Sequence, residues 1–441
     1  MGTDARGGPR RRRVVIIGAG FGGLTAAREL GGADVQVTLI DRHSHRLFQP
    51  LLYQVACGGL SAGEIAAPIR RGVRHARNVS TLMASVTGID AAAREVELDS
   101  GERIQYDSLV VACGAETSYF GEERWRELTF GLKTLEDALR LRDRVYGAFE
   151  EAERAQDDDE RRRWQTFVVV GGGPTGVEFA GELSIIARHA VNGYYSRFDP
   201  SETRVVLVDA GPRVTAAFSE RLSGKVAGYL ADLGVTIKVG ARVTAIDENG
   251  VEFSVDGASE RVDCKTVVWA AGVQTASVAA SIAASAGAET DRAGRLVVGE
   301  DLAIPGHPEI TVLGDAGSVS AGGAKPLPGL ATVAIQQAHH VVKGIRGGAP
   351  GAQGPFRYFD KGALAVVGRG KAVCEIRGRE ISGRPAFFTY LTVHMAYLSG
   401  GGPGHRLKVL IDWISARFGS PQEQVIRGEL PPARRAHVGG S

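Results

Sequence analysis

"VVVGGGPTGVEFAGEL", Val168–Leu183, reads as an apolar strand, a tight glycine turn and the first turns of a helix. Gly171, Gly173 and Gly176 occupy the three glycine places of G-x-G-x-x-G. Nearer the N-terminus, "VVIIGAGFGGLTAAREL", Val14–Leu30, repeats the arrangement with Gly18, Gly20 and Gly23. Each unit is followed by an apolar strand that ends in an acid: "VQVTLIDR" supplies Asp41 and "RVVLVDAG" supplies Asp209. The first acid falls near the ~20-residue spacing of a dinucleotide fingerprint. The second is later, so that unit must accommodate an insertion, "IARHAVNGYYSRFDPSE".

The glycines have mechanical work to do. One permits the tight turn, one lets backbone amides approach a pyrophosphate, and one lets helix and strand pack closely. The helix start then offers unpaired N–H groups and a partial positive charge to that anion. A lone glycine pattern is weak, but here each is preceded by a buried strand and followed by a helix and an acid-terminated strand. The fold class expected is α/β: two Rossmann-like dinucleotide-binding domains, with a C-terminal region of β-hairpin and amphipathic helices. Two such units in one chain suit a flavin dinucleotide and a nicotinamide dinucleotide, and their order alone does not assign them. A carboxylate at Asp209 repels a 2′-phosphate and favours NADH over NADPH, while Arg213, four residues on, could weaken that preference.

The bulk numbers exclude other classes. A chain of 441 residues exceeds one ordinary core, and 44% apolar with 23% charged residues describes a globular protein. The net charge of +2 gives no nucleic-acid signal, and the Arg10–Arg13 run reads as a solvated tail. Cys57, Cys113, Cys264 and Cys374 are scattered, which speaks for a reducing compartment and against a disulfide framework or a metal site. No secretory signal order and no window of about 20 strongly apolar residues is present, so a soluble or peripherally attached protein is expected.

The expected organisation is a basic tail over 1–13, a first cofactor segment over 14–125, a second dinucleotide domain over 126–290 with a charge-dense helical bridge at 134–163, and a return to the first domain over 291–345. A C-terminal membrane and dimerisation region over 346–420 and a loose tail over 421–441 complete the chain. "SLVVACGAET" is a further buried strand breaking at Gly114, and "EITVLGDAGSV" one that runs into Gly314-Asp315. An aspartate there can bond a ribityl hydroxyl, although a lone Gly-Asp is more often a simple turn.

"IIGAGFGGL", "HRLFQPLLYQVACGGLSAGEIAAPIR", "GGGPTGVEFAGEL", "VVWAAGV", "VLGDAG" and "LPGLATVAIQQA", in that order, resemble the type II NADH dehydrogenases, single-chain NADH:quinone oxidoreductases that do not pump protons. The resemblance spans about Val14 to Asp412 and implies the glutathione-reductase-like two-dinucleotide fold. It assigns Gly18, Gly20, Phe21, Gly22, Gly23, Asp41 and Arg42, with Gly114, Asp315, Thr332 and Val333, to FAD. Gly171, Gly173, Thr175, Gly176 and Asp209 would hold NADH, and Glu178 would stand near the nicotinamide and flavin. The alternative for Glu178 is an acid favoured by the helix dipole on the first turn. Gln336, Gln337 and Gln54 are the candidates to bond a quinone carbonyl, with Phe48, Pro50 and Tyr53 beside the isoalloxazine.

The implied reaction is hydride transfer from NADH to flavin N5, followed by two electrons to a quinone. Orientation supplies most of the rate, and no protein nucleophile is required. Rivals are a reductase of another acceptor, such as a ferredoxin-type protein, and a slow NADH-binding flavoprotein sensor. Disulfide and sulfide:quinone reductases need paired cysteines that this chain lacks. "LKVLIDWISARF" places Leu407, Leu410, Ile411, Ile414 and Phe418 on one stripe of an amphipathic helix, after a more uniformly apolar "PAFFTYLTVHMAYL" whose His394 reads as structural. In the family such helices dock on the bilayer and pair subunits, which implies a peripheral homodimer on the cytoplasmic face of the cell membrane.

Overall fold

Val14–Ile17 and Phe167–Val170 are runs of β-branched and aromatic residues buried on both faces, the pattern of a central strand in a parallel sheet. In the computed structural model, which describes residues 11–191, 193–319, 327–348, 353–398, 404 and 407–411, each run is an interior strand of its own sheet. The first sheet has six strands in the spatial order Ala303–Ile304, His307–Val312, Ser108–Val111, Arg12–Ile17, Val35–Asp41, Val79–Met83. All pair in parallel except Ala303–Ile304, which runs antiparallel to His307–Val312. The second has five parallel strands: Phe130–Gly131, Thr266–Trp269, Thr166–Val170, Arg204–Asp209, Val235–Val239.

The two lobes repeat one plan. Each glycine turn leads into a helix, Phe21–Glu29 or Pro174–Ile185, that crosses to the neighbouring acid-terminated strand. Each lobe also carries a three-stranded antiparallel meander, Val86–Gln105 in the first and Ala241–Asp263 in the second. His307–Val312 pairs with Ser108–Val111, so the chain completes the first sheet only after building the second lobe. A short ladder, Ala115–Thr117 against Val273–Thr275, links the lobes.

The charge-dense bridge buries one face. Helix Leu135–Arg154 starts at Thr134, whose hydroxyl accepts from the Asp137 N–H, and turns Leu141, Val145, Tyr146 and Phe149 into the core. The insertion lies on it: Tyr195 and Phe198 stack 5.0 Å apart beside Phe149, and Glu153 accepts from the Ser196 and Arg197 amides.

The C-terminal hairpin gains a third strand: Ala363–Val366, Ala372–Ile376 and Arg379–Ser382. Arg377 at φ +51° and Gly378 at φ +73° make the two-residue turn, with a left-handed arginine where Asn or Asp is the usual signal. Helix Arg384–Tyr397 packs on this sheet. Residues 407–411 are helical, with Val409 buried and Leu407 and Ile411 exposed, so the apolar stripe faces outward there. Asp412, Ile414, Arg417 and Phe418, the 421–441 tail and residues 1–10 lie outside the described residues. No helix among the described residues is long and apolar enough to cross a membrane.

Candidate functional site

Two glycines of each turn are consumed by the fold. Gly18 has φ +95°, and a Cβ on it would lie 2.3 Å from the Ala112 carbonyl oxygen; one on Gly23 would lie 1.8 Å from the Gly18 carbonyl oxygen. The second turn repeats this, with Gly171 at φ +112° against Ala270 and a Gly176 Cβ 1.9 Å from the Gly171 carbonyl oxygen. Gly20 and Gly173, the middle glycines, have nothing within 4 Å. That open side is where an anion can reach the amides.

The strand-end acids are bonded alike in both lobes. Asp41 accepts from the Ala19 amide at 2.7 Å and the His43 amide at 2.8 Å. Asp209 accepts from the Gly172 amide and, at 2.6 Å, from the Gly211 amide. Both carboxylates therefore pin the glycine turn as well as closing their strands.

Helices Phe21–Glu29, Pro174–Ile185 and Ala331–Arg346 begin without a side-chain cap and without an acid in the first turn. Thr134, Asp157 and Ser219 cap three other helices, whereas Val278–Ala286 and Arg384–Tyr397 also start uncapped, so it is the pairing of an uncapped start with an open glycine turn that marks the two sites. Uncapped starts leave orphan N–H groups for a ligand. Together with the space over Gly20 and Gly173, this fits two dinucleotide pyrophosphates.

The third uncapped start, at Ala331, follows the Gly314-Asp315 turn. Gln337 is buried, and its Oε1 accepts from the Gly314 amide at 2.7 Å, so it shapes that turn. Gln336, on the exposed side, exchanges two bonds of 3.0 Å with the backbone of Phe359. The adjacent glutamines thus serve opposite partners. Thr332 meets the Tyr358 hydroxyl at 3.1 Å, and Val333 is buried. Lys133, which the sequence did not single out, lies 3.8 Å from Asp315. Arg42 pairs with Glu116 of the inter-lobe ladder at 3.4 Å, Phe21 packs edge-on against Phe48, Gly22 lies against Leu313 and Ala334, Thr175 is exposed, and Gly114 turns at φ +70°.

A buried polar cluster gathers four segments distant in sequence. Glu178 is the fifth residue of its helix, beyond the first turn where the dipole acts, and its Oε1 accepts from the Val366 amide at 3.3 Å. The dipole explanation for this acid therefore fails. Burial pushes its carboxyl up to about 8. Gln54 donates to the Tyr53 hydroxyl at 2.9 Å, and that hydroxyl lies 3.3 Å from the Tyr390 hydroxyl. Burial, reinforced by Glu178 and Glu182, raises both tyrosines, and burial raises the Cys57 thiol too. His394 stacks on Tyr390 with ring centres 3.8 Å apart and donates from Nδ1 to the Tyr390 carbonyl. Burial brings it down to about 4, so it is neutral at physiological pH. No sequence signal marks Tyr390, because its meeting with Tyr53 is purely tertiary.

The model of the pyridine nucleotide-disulphide oxidoreductase family matches residues 12–338. The type II NADH:quinone oxidoreductase Ndh of Mycobacterium tuberculosis is 44% identical over 413 residues, covering 92% of this chain and 88% of that protein. NdhA of the same organism is 42% identical, over 94% of this chain and 89% of its own. Among solved structures, NDH2 from Plasmodium falciparum in complex with NADH superposes with a TM-score of 0.83 at 18% identity, covering 93% of this chain and 99% of that one, a likeness of fold.

Proposed function

This chain belongs to the pyridine nucleotide-disulphide oxidoreductase family, as one of its type II NADH:quinone oxidoreductases, and from that premise we propose how its own residues carry electrons from NADH to a quinone. The first turn, with Gly20 open to the pyrophosphate and Asp41 at the ribose, holds FAD, and Asp315, Thr332 and Val333 hold its ribityl end. Bound there, FAD supplies the two-electron relay between hydride donor and quinone. The second turn holds NADH through the amides around Gly173 and Thr175, with Asp209 at the ribose. What supports two dinucleotide sites is one observation, two identically pinned glycine turns, one per lobe, each opening onto an uncapped helix; the return of the chain to the first lobe, which brings Gly314-Asp315 to it, supports placing FAD there.

Glu178 keeps its proton through neutral pH on Oε2, since Oε1 accepts from Val366. Quinone reduction consumes two protons, and a protonated buried acid that acts electrostatically on the Tyr53 hydroxyl is suited to deliver one. Gln54 and Tyr53 form the polar lip of the quinone site, and Gln336 exchanges the Phe359 backbone for a quinone carbonyl. Gln337 serves by holding the Gly314 turn. Phe388, Leu407 and Ile411, all exposed, seat the protein on the cytoplasmic face of the membrane, and the same C-terminal helices pair two subunits.

The test is an anaerobic titration. The purified yellow protein should bleach with NADH and regain its colour on a pulse of short-chain quinone. A colourless protein, or recolouring only with an iron–sulfur acceptor, contradicts the reading. Attachment is checked by flotation with anionic liposomes at low salt, where a protein left at the bottom of the gradient removes the membrane role.

A further inference from the structure

The loop from Gly211 to Phe218 follows the second strand-end acid, at the place where a nicotinamide dinucleotide is told apart from its 2′-phosphorylated form. We propose that this loop is a lock that withholds its only cation, Arg213, from a 2′-phosphate. The inference rests on the reading that the second glycine turn holds NADH.

Recognition of a 2′-phosphate calls for an arginine near the strand-end position, gripping with two parallel N–H groups. Arg213 stands in the right place but is already spent. Its Nη2 donates to the Ala216 carbonyl at 3.1 Å and to the Phe218 carbonyl at 3.2 Å. Those two bonds use both hydrogens of that nitrogen. A guanidinium presents a two-point face either through Nη1 and Nη2 or through Nε and Nη2, so both faces lose a member. The Nε is buried without a partner, closed to a ligand as well. Arg213 serves its own loop.

Thr215 fastens the loop to the site. It is buried and holds φ +47°, a left-handed backbone that a β-branched residue adopts only under constraint. In that conformation its N–H donates to the Gly172 carbonyl at 2.7 Å, inside the glycine turn. Its carbonyl accepts from the Phe218 amide at 2.9 Å and from the Ser223 hydroxyl at 3.2 Å. Asp209 meanwhile accepts from Gly172 and Gly211. Acid, glycine turn and loop form one hydrogen-bonded unit, with the carboxylate built in and the arginine tied back. Discrimination therefore depends on the loop's shape as well as on the charge of Asp209.

The experiment compares kcat/KM for NADH and NADPH with a soluble quinone, using the full-length flavin-loaded protein, with flavin content and Tm measured on every variant. Asp209→Asn should raise KM for NADH about tenfold and improve NADPH by less than about tenfold, because the cation stays tied. Adding Arg213→Ala should then change NADPH use by less than about threefold. Asp209→Asn with Thr215→Pro, which removes the N–H and forbids the left-handed backbone, should gain about tenfold for NADPH, and Arg213→Ala should abolish that gain. Thr215→Gly keeps both features and should keep wild-type discrimination. If Thr215→Pro does not fold, Ser223→Ala in the Asp209→Asn background should give a smaller gain of the same sign.

A gain near 100-fold from Asp209→Asn alone, lost with Arg213→Ala, overturns the lock by showing the arginine available. Absence of any Arg213-dependent gain in both loop variants overturns it too. If Asp209→Asn leaves both nucleotides unaffected while flavin content falls, the assignment of the turns is wrong and the lock falls with its premise.

Discussion

The two glycine turns are near copies in their backbones and differ in what surrounds them. Both pin the turn with a strand-end carboxylate, Asp41 to Ala19 and Asp209 to Gly172, and both open onto an uncapped helix. The second is also gripped from outside by Thr215. Beside the first lies a different device: Arg42 reaches to Glu116 on the inter-lobe ladder, and Lys133 reaches in to Asp315 from the start of the bridge helix. Generic anion binding comes from the backbone. Under the proposed assignment, the loops around each turn are what would decide which dinucleotide it takes and whether that ligand stays or exchanges.

The largest expected effect sets the two turns against each other. A Cβ at Gly23 or Gly176 would sit inside contact distance of a carbonyl oxygen, so each Ala substitution forces its own turn open at a local cost of about 3 kcal/mol. Gly23→Ala should emerge colourless, whereas Gly176→Ala should stay yellow and fail to bleach with NADH. Equal flavin loss in both would show that the turns do not divide the two ligands.

Glu178 gives the next effect. Its carboxyl rises from 4.5 to about 8 in the folded protein, so between these values the folded state binds more protons than the unfolded chain. Stability therefore falls as pH rises from 4.5 through 8. Glu178→Gln should lack that fall, so its Tm should gain on wild type as pH climbs to 9. Quinone turnover should drop at least about tenfold, and the limb of the rate profile near pH 8 should vanish. An unchanged profile would reduce Glu178 to a packing role.

Smaller shifts separate site helices from structural ones. Thr175→Asp puts an acid in the first turn of an uncapped helix, adding about 0.5 kcal/mol of helix stability while raising KM for NADH. Thr134→Ala removes a true cap, costing about 1 kcal/mol with no change in KM. Tm and KM should therefore both rise for Thr175→Asp, and only Tm should move, downward, for Thr134→Ala.

Local sequence determined the two βαβ units, because steric demands at Gly18, Gly23, Gly171 and Gly176 act within a few residues and strand burial shows as unbroken apolar runs. Asp41 and Asp209 were legible for the same reason, being fixed offsets from those runs. Partners distant along the chain were not: Tyr53 with Tyr390, Glu178 with Val366, Lys133 with Asp315, and the tying back of Arg213 by two carbonyls. Nor did the place of Glu178 along the sequence suggest a carboxyl driven upward, since strand Ala363–Val366, from the far end of the chain, folds onto its helix and bonds it. Backbone sterics are short-ranged and so are written locally, whereas burial and hydrogen-bond commitment depend on which distant surfaces meet, and only the tertiary fold decides that.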